Sequence, residues 1–239
     1  MHHPIYAVNA GYCRLGISLQ YALLKDICEM KNPQLVVFEV REREDFFSHD
    51  MFPYIAETQD IFLAPVFVNR DYFADMHQAF LLRITYQKNR IYKTISTPDT
   101  LYSDFGFWPR EETASQEILA KKEKQQIEVS ENQMSAFRQK LNLSYSEEYV
   151  RRMVSICKEK NISFIFLFLP AYGNKQDFPV NVGFYKQLGT IVIPPKEILN
   201  KKSNWSDEGH LNVSGAEQIT NWLSEALKNY LKKSESPLM

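Results

Sequence analysis

Asp207 and His210 stand three residues apart in the segment NWSDEGHLNVSGAE, residues 204–217, immediately before a helical pattern. A carboxylate and an imidazole on one short loop can reach a common point, and together they supply two of the three parts of a nucleophile, base and orienter system. In that chemistry the imidazole takes a proton from a hydroxyl, while the carboxylate orients the ring and stabilises the imidazolium. The nucleophile is the missing third. Spacing alone favours a plainer reading, in which Asp207 caps a turn and His210 sits satisfied in an interface.

The elements around this pair must hold it in place. Ser214 and Glu217 have capping-box spacing, and Ile219, Leu223, Ala226, Leu227, Tyr230 and Leu231 give residues 214–231 a helical apolar stripe. Upstream, residues 162–169 form an apolar run of strand length, 170–179 a loop, and 189–193 a short strand closed by Pro194 and Pro195. Ser146, followed by Glu147 and Glu148, reads as the N-cap of a helix carrying Val150, Met153, Val154 and Cys157 and stopping at Lys160 and Asn161. Near the start, residues 5–8 predict a strand running into Asn9, Ala10 and Gly11. Leu19, Leu23, Leu24 and Ile27 predict a helix over residues 17–30 that Asn32 and Pro33 end. Residues 35–40 are a nearly continuous apolar strand of the kind a parallel sheet covered on both faces requires. This β-α-β opening implies a right-handed parallel crossover.

The middle alternates less cleanly. Residues 71–95 carry Phe73, Met76, Phe80, Leu81, Ile84 and Ile91 at helical intervals and predict one or two helices, broken at 97–99. Residues 106–109 form a compact aromatic turn. Residues 111–133 give a polar helical pattern, read as a solvated face or a flap.

The chain has 239 residues, 44% of them hydrophobic, with 28 Lys plus Arg against 29 Asp plus Glu. That length suits one domain, 1–239, with 46–143 as a mostly helical insertion. The near-zero net charge supplies no overall field toward nucleic acid or an anionic membrane. Cys13, Cys28 and Cys157 lack the paired spacing of a zinc site or a disulfide framework and read as buried thiols. Neither a membrane-spanning run nor a signal-peptide pattern at residues 1–6 is visible, which leaves the compartment open.

The block from Ser206 to Ala216, with Asp207, His210, Leu211 and Gly215, resembles the last signature block of the SGNH or GDSL hydrolase superfamily, Asp-x-x-His-Leu followed by a Gly. It looks most like the branch of bacterial cell-envelope proteins related to alginate O-acetylation and teichoic-acid D-alanylation proteins. Tyr6 to Gly11 resembles the second block, and residues 159–173 the penultimate helix, strand and loop. The resemblance covers both ends of the chain well and residues 46–143 only weakly. It implies a three-layer α/β/α fold with a parallel sheet in flavodoxin-like order, and a serine esterase or O-acyltransferase acting on acylated carbohydrate of the cell envelope or an exported polysaccharide. It further implies His210 as general base, Asp207 as orienter, Gly11 as an oxyanion-hole amide, a possible membrane acyl-transfer partner, and neither metal nor organic cofactor.

Two departures shape the expectation. The family's nucleophilic serine follows a first, central strand upstream of the segment matched by Tyr6, yet only five residues precede Tyr6 here. The expectation is a natural domain that begins upstream and brings the serine with it. The alternative is a shortened, non-catalytic relative that binds a glycan or scaffolds a complex, its gap closed by pairing 5–8 with 35–40. Phe105, Phe107, Trp108 and Trp205 would be its sugar-stacking candidates, although core packing suits most of them better. The family's Gly-x-Asn-Asp block would fall after Phe38, where Glu39, Val40 and Arg41 stand instead. Losing one oxyanion donor costs on the order of a hundred to a thousandfold in rate. Cys13 and Ser18, near the Gly11 loop, are poor substitutes, the one read as packing and the other as inside a helix.

Overall fold

Hydrophobic spacing sets the first helix as the sequence predicts it. In the computed structural model, which describes residues 7–8, 16–40, 42, 52–62, 72–92, 110–131 and 136–235, α1 spans Ile17–Met30 and buries Leu19, Tyr21, Ala22, Leu24 and Cys28. The remaining elements are β1 (Leu35–Glu39), α2 (Phe52–Ile55), α3 (Thr58–Phe62), α4 (Tyr72–Tyr92), α5 (Gln116–Glu131) and α6 (Ala136–Glu159). After these come β2 (Ser163–Leu167), α7 (Val182–Leu188), β3 (Thr190–Val192), α8 (Lys196–Leu199), a 3-10 turn (Lys202–Asn204) and α9 (Val213–Glu235). The fold is α/β, with a three-stranded parallel sheet in the order β1-β2-β3.

The chain divides into two compact units. The first comprises Met1–Gln34, Arg43–Trp108 and Ser135–Ser163, and its core is helical. Helix α6 packs along α1, and Phe52, Ala56, Ile61 and Ala79 gather α2, α3 and α4 around Ala22. Tyr145, Tyr149 and Met153 repeat at i, i+4 and i+8 and are all buried, so α6 runs straight through the expected N-cap at Ser146, itself buried. The continuous apolar stripe outweighs a cap preference of about 1 kcal/mol. Lys25 ties α1 to α3 through Glu57 Oε2 (2.7 Å) and Asp60 Oδ2 (2.9 Å), and Tyr21 donates to Asp60 Oδ1 at 3.0 Å. Burial pulls the Lys25 ammonium down, but its bonds to Glu57 and Asp60 outweigh this and leave it raised. Burial likewise pushes the thiols of Cys28 and Cys157 up, Cys157 to about 12. Both are free and buried, as expected, and Cys13 lies outside the described residues.

The expected strand at 5–8 is not formed at Ala7 and Val8, which lie outside any strand, Val8 being 75% exposed. Ile5 and Tyr6 lie outside the described residues. At residues 7 and 8, then, neither the opening crossover nor the proposed pairing with 35–40 is present, because Val8 has no apolar surface to cover it.

The second unit comprises Leu35–Glu42, Pro109–Met134 and Phe164–Met239 and holds the sheet. Strand β2 is buried from Phe164 to Leu167, with Ile165 and Phe166 at 0% exposure, as its apolar run requires. Its register against β3 pairs Ile165 with Thr190, Phe166 with Ile191 and Leu167 with Val192. On the other side the Val40 amide donates to the Leu167 carbonyl at 2.8 Å. The Glu42 carboxylate, just past the end of β1, accepts the amides of Val180 and Asn181 where α7 begins. Leu119 of α5, Tyr172 after β2, Leu199 of α8, Trp205 and Ile219 of α9 form the core beneath the candidate site.

Candidate active site

The segment between the 3-10 turn and α9 folds as a narrow hairpin whose tip carries the dyad. Trp205 and Leu211 form an antiparallel bridge, the Asn212 amide donates to the Asn204 carbonyl at 2.9 Å, and the amide and hydroxyl of Ser206 both donate to the His210 carbonyl. Trp205 is the floor. Its ring is 1% exposed and 5.8 Å from that of Tyr172, and its indole N–H donates to the Leu199 carbonyl at 2.8 Å. Leu169 packs on the same cluster, so the hairpin rests on the segment leaving the carboxyl end of β2, the edge at which open α/β sheets take ligands.

Helix α9 anchors the other side. Asn212, not Ser214, is the cap: its Oδ1 accepts the Gly215 amide at 3.0 Å and its Nδ2 donates to the Ser203 carbonyl at 2.8 Å. The helix starts at Val213, one residue before the expected Ser214, whose hydroxyl instead bonds Gln218 Nε2. An asparagine two positions earlier outcompetes the serine because its carboxamide satisfies a helix amide and a loop carbonyl at once. Gly215 is required by space, since a Cβ there would run into the Asn204 carbonyl oxygen and lie 2.9 Å from Leu211 Cδ2.

At the tip, Asp207 Oδ1 accepts the amides of Gly209 and His210, each at 2.8 Å, and His210 Nδ1 lies 2.9 Å from Oδ1 and 2.8 Å from Oδ2. Arg110 Nη1 donates to Oδ2 at 2.7 Å. Burial alone would raise the Asp207 carboxyl, but the Gly209 amide and His210 outweigh it and hold the group below its ordinary value. An ionised carboxylate only accepts, so Nδ1 of His210 is the donor and Nε2 is left as the basic atom. His210 is 53% exposed, and among the described residues Nε2 has no hydrogen-bond partner. The arrangement is that of a base with its tautomer set and its reactive nitrogen open.

Arg110 was not legible in the sequence. It stands 97 residues from Asp207 and has no periodic or motif signal. Its own backbone is tied in, since its carbonyl accepts the Val213 amide at 2.8 Å, while the Ala114 amide donates to the Trp205 carbonyl at 2.7 Å.

No family model matches the chain, and no curated protein or solved structure matches it significantly. The site therefore rests on its own geometry. Gly11 lies outside the described residues, as do Cys13, Phe105, Phe107 and Trp108. Ser18 is fully buried within α1 and offers no hydroxyl to a substrate. Trp205 is a packing residue rather than a stacking surface. Among the described residues no serine or cysteine reaches Nε2 of His210 and no cluster of three His, Cys, Asp or Glu side chains could hold a metal ion. A small depression lined by Pro170, Gly173, Asn174, Ile193 and Lys196 lies at the carboxyl ends of β2 and β3 and includes neither dyad residue.

Proposed function

We propose that this chain is an SGNH-hydrolase-like esterase or O-acyltransferase acting on acylated carbohydrate of the cell envelope or an exported polysaccharide. The observation that carries the chemistry is the Asp207 carboxylate bound to Nδ1 of a half-exposed His210. The substrate class comes from the resemblance of residues 206–216.

In this reading Nε2 of His210 takes the proton of a serine hydroxyl as its oxygen attacks the acyl carbonyl. The ester C–O bond then breaks and the proton passes to the departing sugar oxygen. A second hydroxyl, from water or an acceptor sugar, then gives its proton to Nε2 as its oxygen attacks the acyl-serine; the acyl–serine C–O bond breaks and Nε2 returns the proton to the serine oxygen, so that hydrolysis and transfer differ only in the acceptor. Asp207 stabilises the imidazolium, Arg110 holds Asp207 in position, and Gly11 donates to the oxyanion. The reaction calls for neither metal nor organic cofactor, and its partners are acylated carbohydrate and a membrane acyl-transfer protein, not nucleic acid.

Release of acetate from an acetylated oligosaccharide tests the proposal. His210→Ala is expected to lower kcat/KM by about a hundred- to ten-thousandfold, and Asp207→Asn by a comparable factor through the wrong tautomer. Equal rates in wild type and His210→Ala would sink the catalytic assignment. The absence of a serine or thiol at Nε2 among the described residues favours a second reading, a non-catalytic glycan-binding or scaffold module. That reading predicts retention on an immobilised envelope glycan with no acetate released.

A further inference from the structure

In the first unit the buried thiols of Cys28 and Cys157 face each other across two helices. Helix α1 packs along α6, and the seam between them is marked by the rings of Tyr21 and Tyr149, whose centroids lie 5.5 Å apart. About two turns further along each helix, at 3.6 residues per turn, stand Cys28 on α1 and Cys157 on α6. There the two thiols share a hydrogen bond. The helices therefore run parallel, and one seam continues from the ring pair to the thiol pair.

As packing, this contact is weak. A thiol is a poor donor and a poor acceptor, and a small apolar side chain would fill the same space. What a facing pair adds is reactivity. A disulfide holds its sulfurs about 2 Å apart, so thiols already in hydrogen-bond contact have a short gap to close. Their place in the helices supplies access: Cys28 and Cys157 lie in the last turns of α1 and α6, and Met30, at the end of α1, is 73% exposed. Helix ends fray while the rest of a fold stays closed. Burial pushes both thiols up, Cys157 to about 12, so the closed state reacts slowly and the bond forms during folding or through the frayed ends. Lys160, just past α6, acts against burial at Cys28 and favours its thiolate as the attacking sulfur.

We propose that Cys28 and Cys157 form a reversible disulfide that clamps α1 to α6, closed in an oxidising compartment and open in a reducing one. The Cys28 thiolate attacks one sulfur of a small-molecule disulfide such as oxidised glutathione and releases the first glutathione thiolate. The Cys157 thiolate then attacks Cys28 Sγ in the mixed disulfide and releases the second. Two protein thiols and one glutathione disulfide thus give one protein disulfide and two glutathione thiols. The proposal is independent of the hydrolase reading. To test it, the reduced full chain is refolded from urea in a glutathione mixture of oxidising poise and digested without reductant. Most of the product should carry a peptide joining Cys28 to Cys157, lost on adding dithiothreitol. Closing a loop of about 130 residues should raise the melting temperature of the oxidised form by roughly 5–15 °C over the reduced form. A folded Cys157→Ala variant should show neither that peptide nor the gain; should it misfold, the wild-type peptide map decides alone. Both thiols free for alkylation after refolding, a bridge from Cys13 or between chains in their place, or a cross-linked form no more stable than the reduced one would each overturn the proposal.

Discussion

Asp207 serves two masters, the turn and the imidazole. Its carboxylate accepts from two amides, an imidazole and a guanidinium, and its carboxyl is held below the ordinary value of 3.8. A group whose pKa is depressed on folding contributes stability above its unfolded value, and that contribution fades as pH falls through the folded one. Asp207→Asn should therefore unfold at a lower temperature than wild type at pH 7, with the gap shrinking below about pH 4. Thermal unfolding at pH 7, 5 and 3 reads this, and a gap undiminished at pH 3 would assign the effect to shape rather than charge. The pair itself was visible in the sequence because its members are three residues apart. Arg110 was not, since an ion pair across 97 residues leaves no local pattern. The plainer sequence reading also proves half right: Asp207 does cap its turn, but it reaches the histidine ring as well.

Among the elements, helices with long apolar stripes are legible in the sequence, and α1 and the strand pair β2 and β3 lie where spacing predicts them. Caps are less legible. At Ser146 a buried stripe carried the helix past the cap, and at Ser214 a better cap stood two residues upstream. This gives a paired expectation: Asn212→Ala should destabilise the fold by about 1–2 kcal/mol in urea unfolding, while Ser214→Ala should stay within about 0.5 kcal/mol. The reverse order would return the cap to Ser214. The expected strand at 5–8 fails at Val8 for the converse reason, since β-branched residues favour a strand only where a partner and a buried face await them.

For the whole molecule, the chain threads repeatedly between its two units. The second unit draws β1 from residues 35–42 and α5 from 109–134, so residues 164–239 do not contain it. Expressed alone, that fragment lacks β1, the Val40 amide after it that donates to the Leu167 carbonyl, and the Leu119 side chain beneath Trp205. It should show helical signal from α9 without a cooperative thermal transition, and a sharp two-state melt by circular dichroism would show that β1 and α5 are dispensable. This interleaving was hidden in the sequence, where 46–143 looked like one helical insertion, because nothing local distinguishes α4 from α5 by the unit it joins.

The hairpin has its own order of assembly. The bridge at Trp205 and Leu211, the Asx turn at Asp207 and the Asn212 cap all close over nine residues or fewer, so little chain entropy stands against them. The Arg110 contact closes over 97. The imidazole and its carboxylate can thus meet early and locally, while the guanidinium arrives only when distant parts of the chain are already in place.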